Sequence, residues 1–247
     1  MTNPVALITG GAKRLGANTA THLHGLGYTV VIHYHQSHQS ALALKNTLND
    51  IRENSAVIYQ ADLANHEAFT ELSQWITQEF GQLNVLVNNA SSFYPTPLTS
   101  LTMNQYNDLI ATNMTAPLFL TQACHRLLKQ TGGVVINMCD IHASRPLLNH
   151  SAYCMAKSGL QMMTQALANE LAPDIRVNGI APGAIEWPSD GINNDTVDEV
   201  LKTIPLKRKG HVEDIAKAIE YLISASYVTG HILTVDGGRQ HNASIGV

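Results

Sequence analysis

The sequence predicts an α/β fold, a single Rossmann-type domain in which a doubly wound parallel sheet of about seven strands carries helices on both faces. Three observations predict it. Short β-rich runs alternate with longer amphipathic segments along the whole chain. A glycine-rich turn, "TGGAKRLG", follows the first run. Hydrophobic residues make up 45% of the chain and charged residues 14%, enough apolar material for a large core. At 247 residues the chain exceeds a typical domain, yet α/β folds reach this length as one unit and no stretch reads as a linker. Residues 1–247 are therefore expected to form one domain.

Strands are expected in "VALITG" from Val5, "TVVIHYH" from Thr29, "SAVIYQADL" from Ser55 and "NVLVNNA" from Asn84. Three more follow in "GVVINMCD" from Gly133, "IRVNGIAPG" from Ile175 and "HILTVDGG" from His231. Between the third and fourth, "EAFTELSQWITQEF" places Phe69, Leu72, Trp75, Ile76 and Phe80 on one helical face, as packing on a sheet requires. The one long irregular insertion, residues 184–199, begins "AIEWPSDG". A doubly wound fold puts it over the carboxyl ends of the strands, where it is a candidate lid.

Composition excludes several functions. The net charge is -4 and the longest basic run is Lys207 to Lys209, so there is no electrostatic footprint for nucleic acid. No apolar run approaches a spanning helix, and "MTNPVALITGG" lacks the charged start and cleavage site of a secretion signal. Cys124, Cys139 and Cys154 lack metal-type spacing and are expected as reduced thiols of a cytoplasmic protein.

The glycine turn offers Gly10, Lys13, Arg14, Leu15 and Gly16 to a ligand. Glycine lets the backbone approach a pyrophosphate, whose oxygens then meet the amides at the next helix's N-terminus. The same turn can also be merely structural. Arg14 stands where the strict fingerprint has its middle glycine, and with Lys13 it favours a ligand carrying extra phosphate. The second strand points the same way. An NAD site places a carboxylate there for the ribose 2′-hydroxyl, whereas this strand ends in His33, Tyr34, His35, Gln36 and Ser37, with no acid. Those groups can donate to a 2′-phosphate, so the cofactor is read as NADPH. A metal held by His33 and His35 lacks an evident third ligand. Asp62, followed by Leu63, closes the third strand where an adenine would lie. Asn89, Ala90 and Ser91 close the fourth beside the adenosine ribose.

Tyr153 and Lys157 form a Tyr-x-x-x-Lys pair one helical turn apart, so both side chains share a face. There the ammonium can lower the phenol's pKa and hold the nicotinamide ribose. Asn113 lies in the middle of a helical segment, where an unpartnered Asn is unfavourable, so it can polarise that helix and anchor a water to Lys157. The fifth strand ends on a carboxylate, Asp140.

Taken in order, TGxxxxxG, NNA, the helix Asn, YxxxK, "APG" (Ala181, Pro182, Gly183) and "VTGHILTVDGG" resemble the short-chain dehydrogenase/reductase family over nearly the whole chain. Members usually carry Ser where this chain has Asp140. Together with "HYHQS", "NNASSFYPTPL" and "APGAIEWP", that carboxylate is similar to the pteridine reductases. The resemblance implies NADPH-dependent reduction of a pterin by a homotetramer, with dihydrobiopterin, dihydromonapterin and dihydrofolate as candidate substrates. It implies Asp140, Tyr153, Lys157 and Asn113 as catalytic residues and Pro182 and Gly183 beside the cofactor. It also implies that Arg14 and Ser91 hydrogen-bond the pterin and the cofactor phosphates and that Phe93 stacks on the pterin. A ketone needs only a hydroxyl beside its oxygen, but a C=N bond needs a proton on nitrogen, which an acid coupled to the phenol can relay. Asp140 could instead cap the next turn, Phe93 and Tyr94 could be loop anchors, and Trp187 could either cover the pocket or pack. Two rivals remain: a carbonyl reductase of the same fold, such as an oxoacyl thioester reductase, and a non-catalytic NADPH-binding sensor.

Overall fold

The computed structural model describes residues 3–186 and 194–241. The chain runs β1 (Val5–Ile8), α1 (Arg14–Gly25), β2 (Thr29–Tyr34), α2 (His38–Ile51), β3 (Ala56–Gln60) and α3 (Glu67–Glu79). It continues through β4 (Val85–Asn88), α4 (Met103–Ile110), α5 (Ala116–Thr131), β5 (Val134–Met138) and α6 (Ser151–Glu170). It ends with β6 (Arg176–Pro182), α7 (Asn194–Lys202), α8 (Val212–Ser224) and β7 (Ile232–Val235). The strands form one sheet in the order β3-β2-β1-β4-β5-β6-β7. Every pairing is parallel, as Leu7 beside Val31 and Leu86 illustrates.

Alternation along each strand divides the core between two faces. Ala6 and Ile8, with Val30 and Ile32, meet Leu23 of α1, Leu48 of α2 and Ile219 of α8. Val5 and Leu7, with Val31 and Leu86, meet Leu72 and Ile76 of α3 and Leu120 and Leu128 of α5. The predicted face of α3 is partitioned accordingly: Phe69, Leu72 and Ile76 are buried, while Trp75 packs at the margin against Tyr59 at 4.9 Å between ring centroids.

The strands end sooner than the β-rich runs do, because the next side chains have other partners. Thr9, just past β1, accepts from the amides of Asn89 and Ala90, both at 2.9 Å, and so ties the β1 turn to the β4 turn. The chain leaves β3 at one edge and returns to β4 beside β1, so the helices following β1 and β4 lie on opposite faces. A crevice opens between their carboxyl ends, which is where open α/β sheets bind ligands. Behind it a buried polar network crosses the sheet: Asn88 donates to Asn137 at 2.8 Å and Asn137 donates to Thr164 of α6 at 2.9 Å.

Candidate active site

The β1 turn is built for close approach. Gly10 has φ +59, and a Cβ on Gly16 would lie 2.3 Å from the Gly10 carbonyl oxygen and 2.6 Å from Asn89 Nδ2. Helix α1 starts at Arg14 with neither a side-chain cap nor an acid in its first turn. Its first amides therefore remain available to an anion. These residues fit a dinucleotide's pyrophosphate. Arg14, itself at φ 51, places its Nε 3.0 Å from Glu186 Oε2 across the opening.

The end of β2 differs from expectation. His33 is 2% exposed; its Nδ1 accepts from the Gly10 amide at 3.2 Å and its Nε2 meets the Ala61 carbonyl at 3.1 Å. Tyr34 is buried on the other face, and its hydroxyl meets His38 Nδ1 at 2.6 Å. Neither side chain is free to donate to a phosphate, because alternation turns both into the body of the protein before the strand ends. His35 and Gln36 are exposed and Ser37 is half-buried. Asp62 reaches across to within 3.8 Å of His35 Nε2 while its other oxygen accepts from the Ala64 amide at 2.9 Å; Leu63 beside it is buried. Among the described residues no group of three His, Cys, Asp or Glu side chains could hold a metal.

At the other end of the cleft, α6 brings Tyr153 and Lys157 to one face, 4% and 3% exposed. The Tyr153 hydroxyl donates to Asp140 Oδ2 at 2.6 Å. Asp140 Oδ1 accepts from the His142 amide at 2.8 Å and so caps the short 3-10 turn Ile141–Ala143. The two readings of this carboxylate are thus compatible, one oxygen serving each. Lys157 Nζ donates to the Met138 carbonyl at 2.8 Å and lies 5.7 Å from the Tyr153 ring centroid. Burial, reinforced by the Asp140 carboxylate, pushes the Tyr153 phenol well above its ordinary value. This reverses the lowering expected from Lys157: the phenol's direct partner is the carboxylate. Burial pulls the Lys157 ammonium down, and the charge of Asp140 opposes it.

Phe93 leaves the β4 turn 53% exposed. Its ring stacks on His150 at 4.8 Å and 15° and meets Tyr153 edge-on at 4.8 Å and 78°. Asn113 sits in a π turn, Ala111–Thr115, between α4 and α5. Its Nδ2 donates to Ser92 O and Leu109 O, both at 2.9 Å, and its Oδ1 accepts from Ser91 Oγ at 2.6 Å. The side chain is therefore engaged with the loop that carries Phe93, a use that its mid-helix position alone could not reveal.

One cleft of about 450 Å³ brings together Gly10, Lys13, Arg14, Leu15, Gly16, Asn89, Ala90, Ser91, Phe93, Asp140, Tyr153, Lys157, Pro182 and Gly183. Its lining does not include His33, Tyr34, His35, Gln36, Ser37, Asp62, Leu63 or Asn113. Trp187 lies outside the described residues, as do the other positions of 187–193 in the candidate lid; the end of that segment, expected to be irregular, instead begins helix α7 at Asn194. Met138, Cys139, His142, Ile185 and Glu186 also line the cleft and were missed in the sequence. His142 and Cys139 flank Asp140 and could have been found by that adjacency. Burial pushes the Cys139 thiol up to about 12, which leaves it a packing group.

The family model described as Enoyl-(Acyl carrier protein) reductase matches residues 10–240. The chain is 37% identical to Pteridine reductase 1 of Leishmania tarentolae, over 96% of each sequence. It is 34% identical to a 3-oxoacyl-[acyl-carrier-protein] reductase of Synechocystis sp., over 96% of this chain and 97% of the other. It is 33% identical to Glucose 1-dehydrogenase 2 of Bacillus subtilis, over 96% and 95%. With a dinucleotide cradle at one end of the cleft and a Tyr153/Lys157 pair at the other, this protein is an oxidoreductase that uses a nicotinamide cofactor, and the chain belongs to the short-chain dehydrogenase/reductase family.

Proposed function

We propose that this protein is an NADPH-dependent pteridine reductase acting on a pterin or dihydropterin such as dihydrobiopterin, dihydromonapterin or dihydrofolate. The observation that carries the proposal is the 2.6 Å hydrogen bond between Tyr153 and Asp140 on the cleft wall. A bound reduced nicotinamide supplies the hydride to the carbon of the C=N bond. The Tyr153 hydroxyl delivers the proton to the ring nitrogen, and Asp140, in direct hydrogen-bond contact, relays a replacement proton from solvent to the phenolate. Phe93, half exposed beside Tyr153, offers a flat substrate a stacking surface. Lys13 and Arg14, together with His35 and the absence of an acid from the β2 end itself, favour a 2′-phosphate over a 2′-hydroxyl, with Asp62 engaged by His35 from the next strand end. By family resemblance the working form is a cytoplasmic homotetramer.

A second reading, reduction of an oxoacyl thioester, draws on the 34% identical reductase and the same Tyr153/Lys157 pair. A panel of dihydropterins, dihydrofolate and an oxoacyl thioester decides between them, with NADPH and NADH consumption followed in parallel. Dihydropterin turnover with NADPH as the better cofactor is expected. Thioester turnover without pterin turnover overturns the proposal, and equal efficiency with NADH overturns its cofactor.

A further inference from the structure

His33 was read from the sequence as a donor to the cofactor, but its surroundings give it a different task. The Gly10 amide is a donor, so the Nδ1 that faces it at 3.2 Å must be the unprotonated ring nitrogen. Nε2 then carries the hydrogen and donates it to the Ala61 carbonyl at 3.1 Å. The backbone of the same residue accepts from the Gly11 amide at 2.9 Å. One buried residue thus fixes two consecutive amides of the phosphate turn and ties that turn to the chain leaving β3.

We propose that His33 is a positioning residue for the dinucleotide: a neutral imidazole strut that sets the Gly10 turn against the end of β3 without touching the cofactor. Gly10 is held at φ +59, a conformation with no helical or sheet partner of its own, and the ring supplies that partner. The task demands an acceptor at one end and a donor at the other, and only one tautomer of a neutral imidazole meets it. A cation here would point a proton at the Gly10 N–H. Burial keeps the ring neutral, pulling its pKa down to about 4. The titratable groups that it faces, His35 and Asp62, act in opposite directions.

The two hydrogen bonds can be separated by substitution, and the readout is NADPH affinity by fluorescence titration, which is independent of any substrate. An Asn amide at this position can place its oxygen near Nδ1 and keep the bond to Gly10; a Gln amide reaches toward Nε2 and keeps only the bond to Ala61. His33→Asn is expected to bind NADPH within about threefold of the wild type, while His33→Gln and His33→Leu weaken it by about tenfold or more. Equal losses in all three, or no loss in His33→Leu, overturn the proposal. In the wild type, the amide proton resonance of Gly10 should move as the ring takes up a proton near pH 4, and in His33→Asn it should not. A Gly10 resonance that stays fixed in the folded wild type through that titration also overturns it. These results do not depend on which molecule the enzyme reduces, so the strut can fail while the pterin reading stands, and the reverse.

Discussion

Asp140 and Tyr153 share one short hydrogen bond, and a second negative charge on the phenol would have to form beside a carboxylate. Burial first, and that carboxylate second, make the phenol keep its proton to pH values well above its ordinary 10.0. The sign of the pH dependence follows. The form that carries the transferable proton is the low-pH form, so the rate of the chemical step should fall as pH rises through the raised pKa of the phenol. Asp140→Asn removes the acid but keeps the shape. Pterin turnover should collapse while NADPH still binds, and in single-turnover measurements the residual rate should bend at a lower pH than the wild type. Identical rates and profiles would leave Asp140 with only its cap on the Ile141–Ala143 turn. Tyr153→Phe and Lys157→Ala should each lower kcat on the order of 10²-fold or more, with circular dichroism unchanged. Near-normal turnover in either folded variant would remove that residue from the chemistry. Identity, spacing and order were legible in the sequence for all three residues. The direction of the phenol's shift was not, because it depends first on how deeply folding buries the ring and then on which charge lies nearest, and only folding brings Asp140, thirteen positions away in sequence, into contact.

The loop after β4 and the helix pair α4–α5 act as one element. The π turn at Ala111–Thr115 turns Asn113 out of the helical ladder, and the amide holds Ser91 and Ser92 from below. Phe93 is thereby set at the cleft, with His150 from the start of α6 behind its ring. A stacking platform of this kind contributes roughly 0.5 to 1.5 kcal/mol beyond area burial. Phe93→Ala should accordingly raise KM for a pterin about threefold to tenfold, with NADPH affinity nearly unchanged. An unaltered KM would return Phe93 to the role of a loop anchor. Motif and strand order made the position of Phe93 readable, but not the ring behind it. His150 lies far along the chain, and nothing in "LLNHSAY" distinguishes a stacked histidine from a solvated one. The β2 end failed for a related reason: "HYHQS" lists polar groups without saying which face each takes, and two of its members turn inward.

For the whole molecule, the order of elements and the parallel sheet follow from the alternation of runs, because each βαβ unit has a single practical way to pack. Acid stability depends on what that packing buries. The unfolded chain protonates His33 near the ordinary imidazole value of 6.5, whereas the folded protein resists until about 4. Stability should therefore decline as pH falls from 6.5 toward 4, with His33 alone contributing a loss of about 3 kcal/mol. His24, bonded to Ser55 Oγ at 2.7 Å and lowered by burial, adds in the same direction. Urea midpoints across this range should show a shallower decline in His33→Asn than in the wild type. Parallel slopes would mean that His33 binds its proton equally well in the folded and unfolded protein.

An all-parallel sheet also divides evolutionary freedom between its two rims. At the rim that holds the cleft, a methyl group on Gly16 collides with backbone 2.3 Å away, and one on Gly183 with Asp236 at 2.6 Å. At the opposite rim, the turns at Gly27, Gly81 and Gly132 have nothing within 4 Å of an added Cβ. Peptides and fluorescent reporters grafted into these open turns should therefore be accepted on one side of the molecule and refused on the other, while the positive φ of Gly27, Gly81 and Gly132 still strains a side chain placed at the glycines themselves. A short flexible peptide inserted after Gly81 should leave turnover within about twofold of the native rate, whereas the single methyl of Gly16→Ala should abolish measurable NADPH binding. Reversed tolerances would mean that the crowded rim can relax and that its glycines are dispensable.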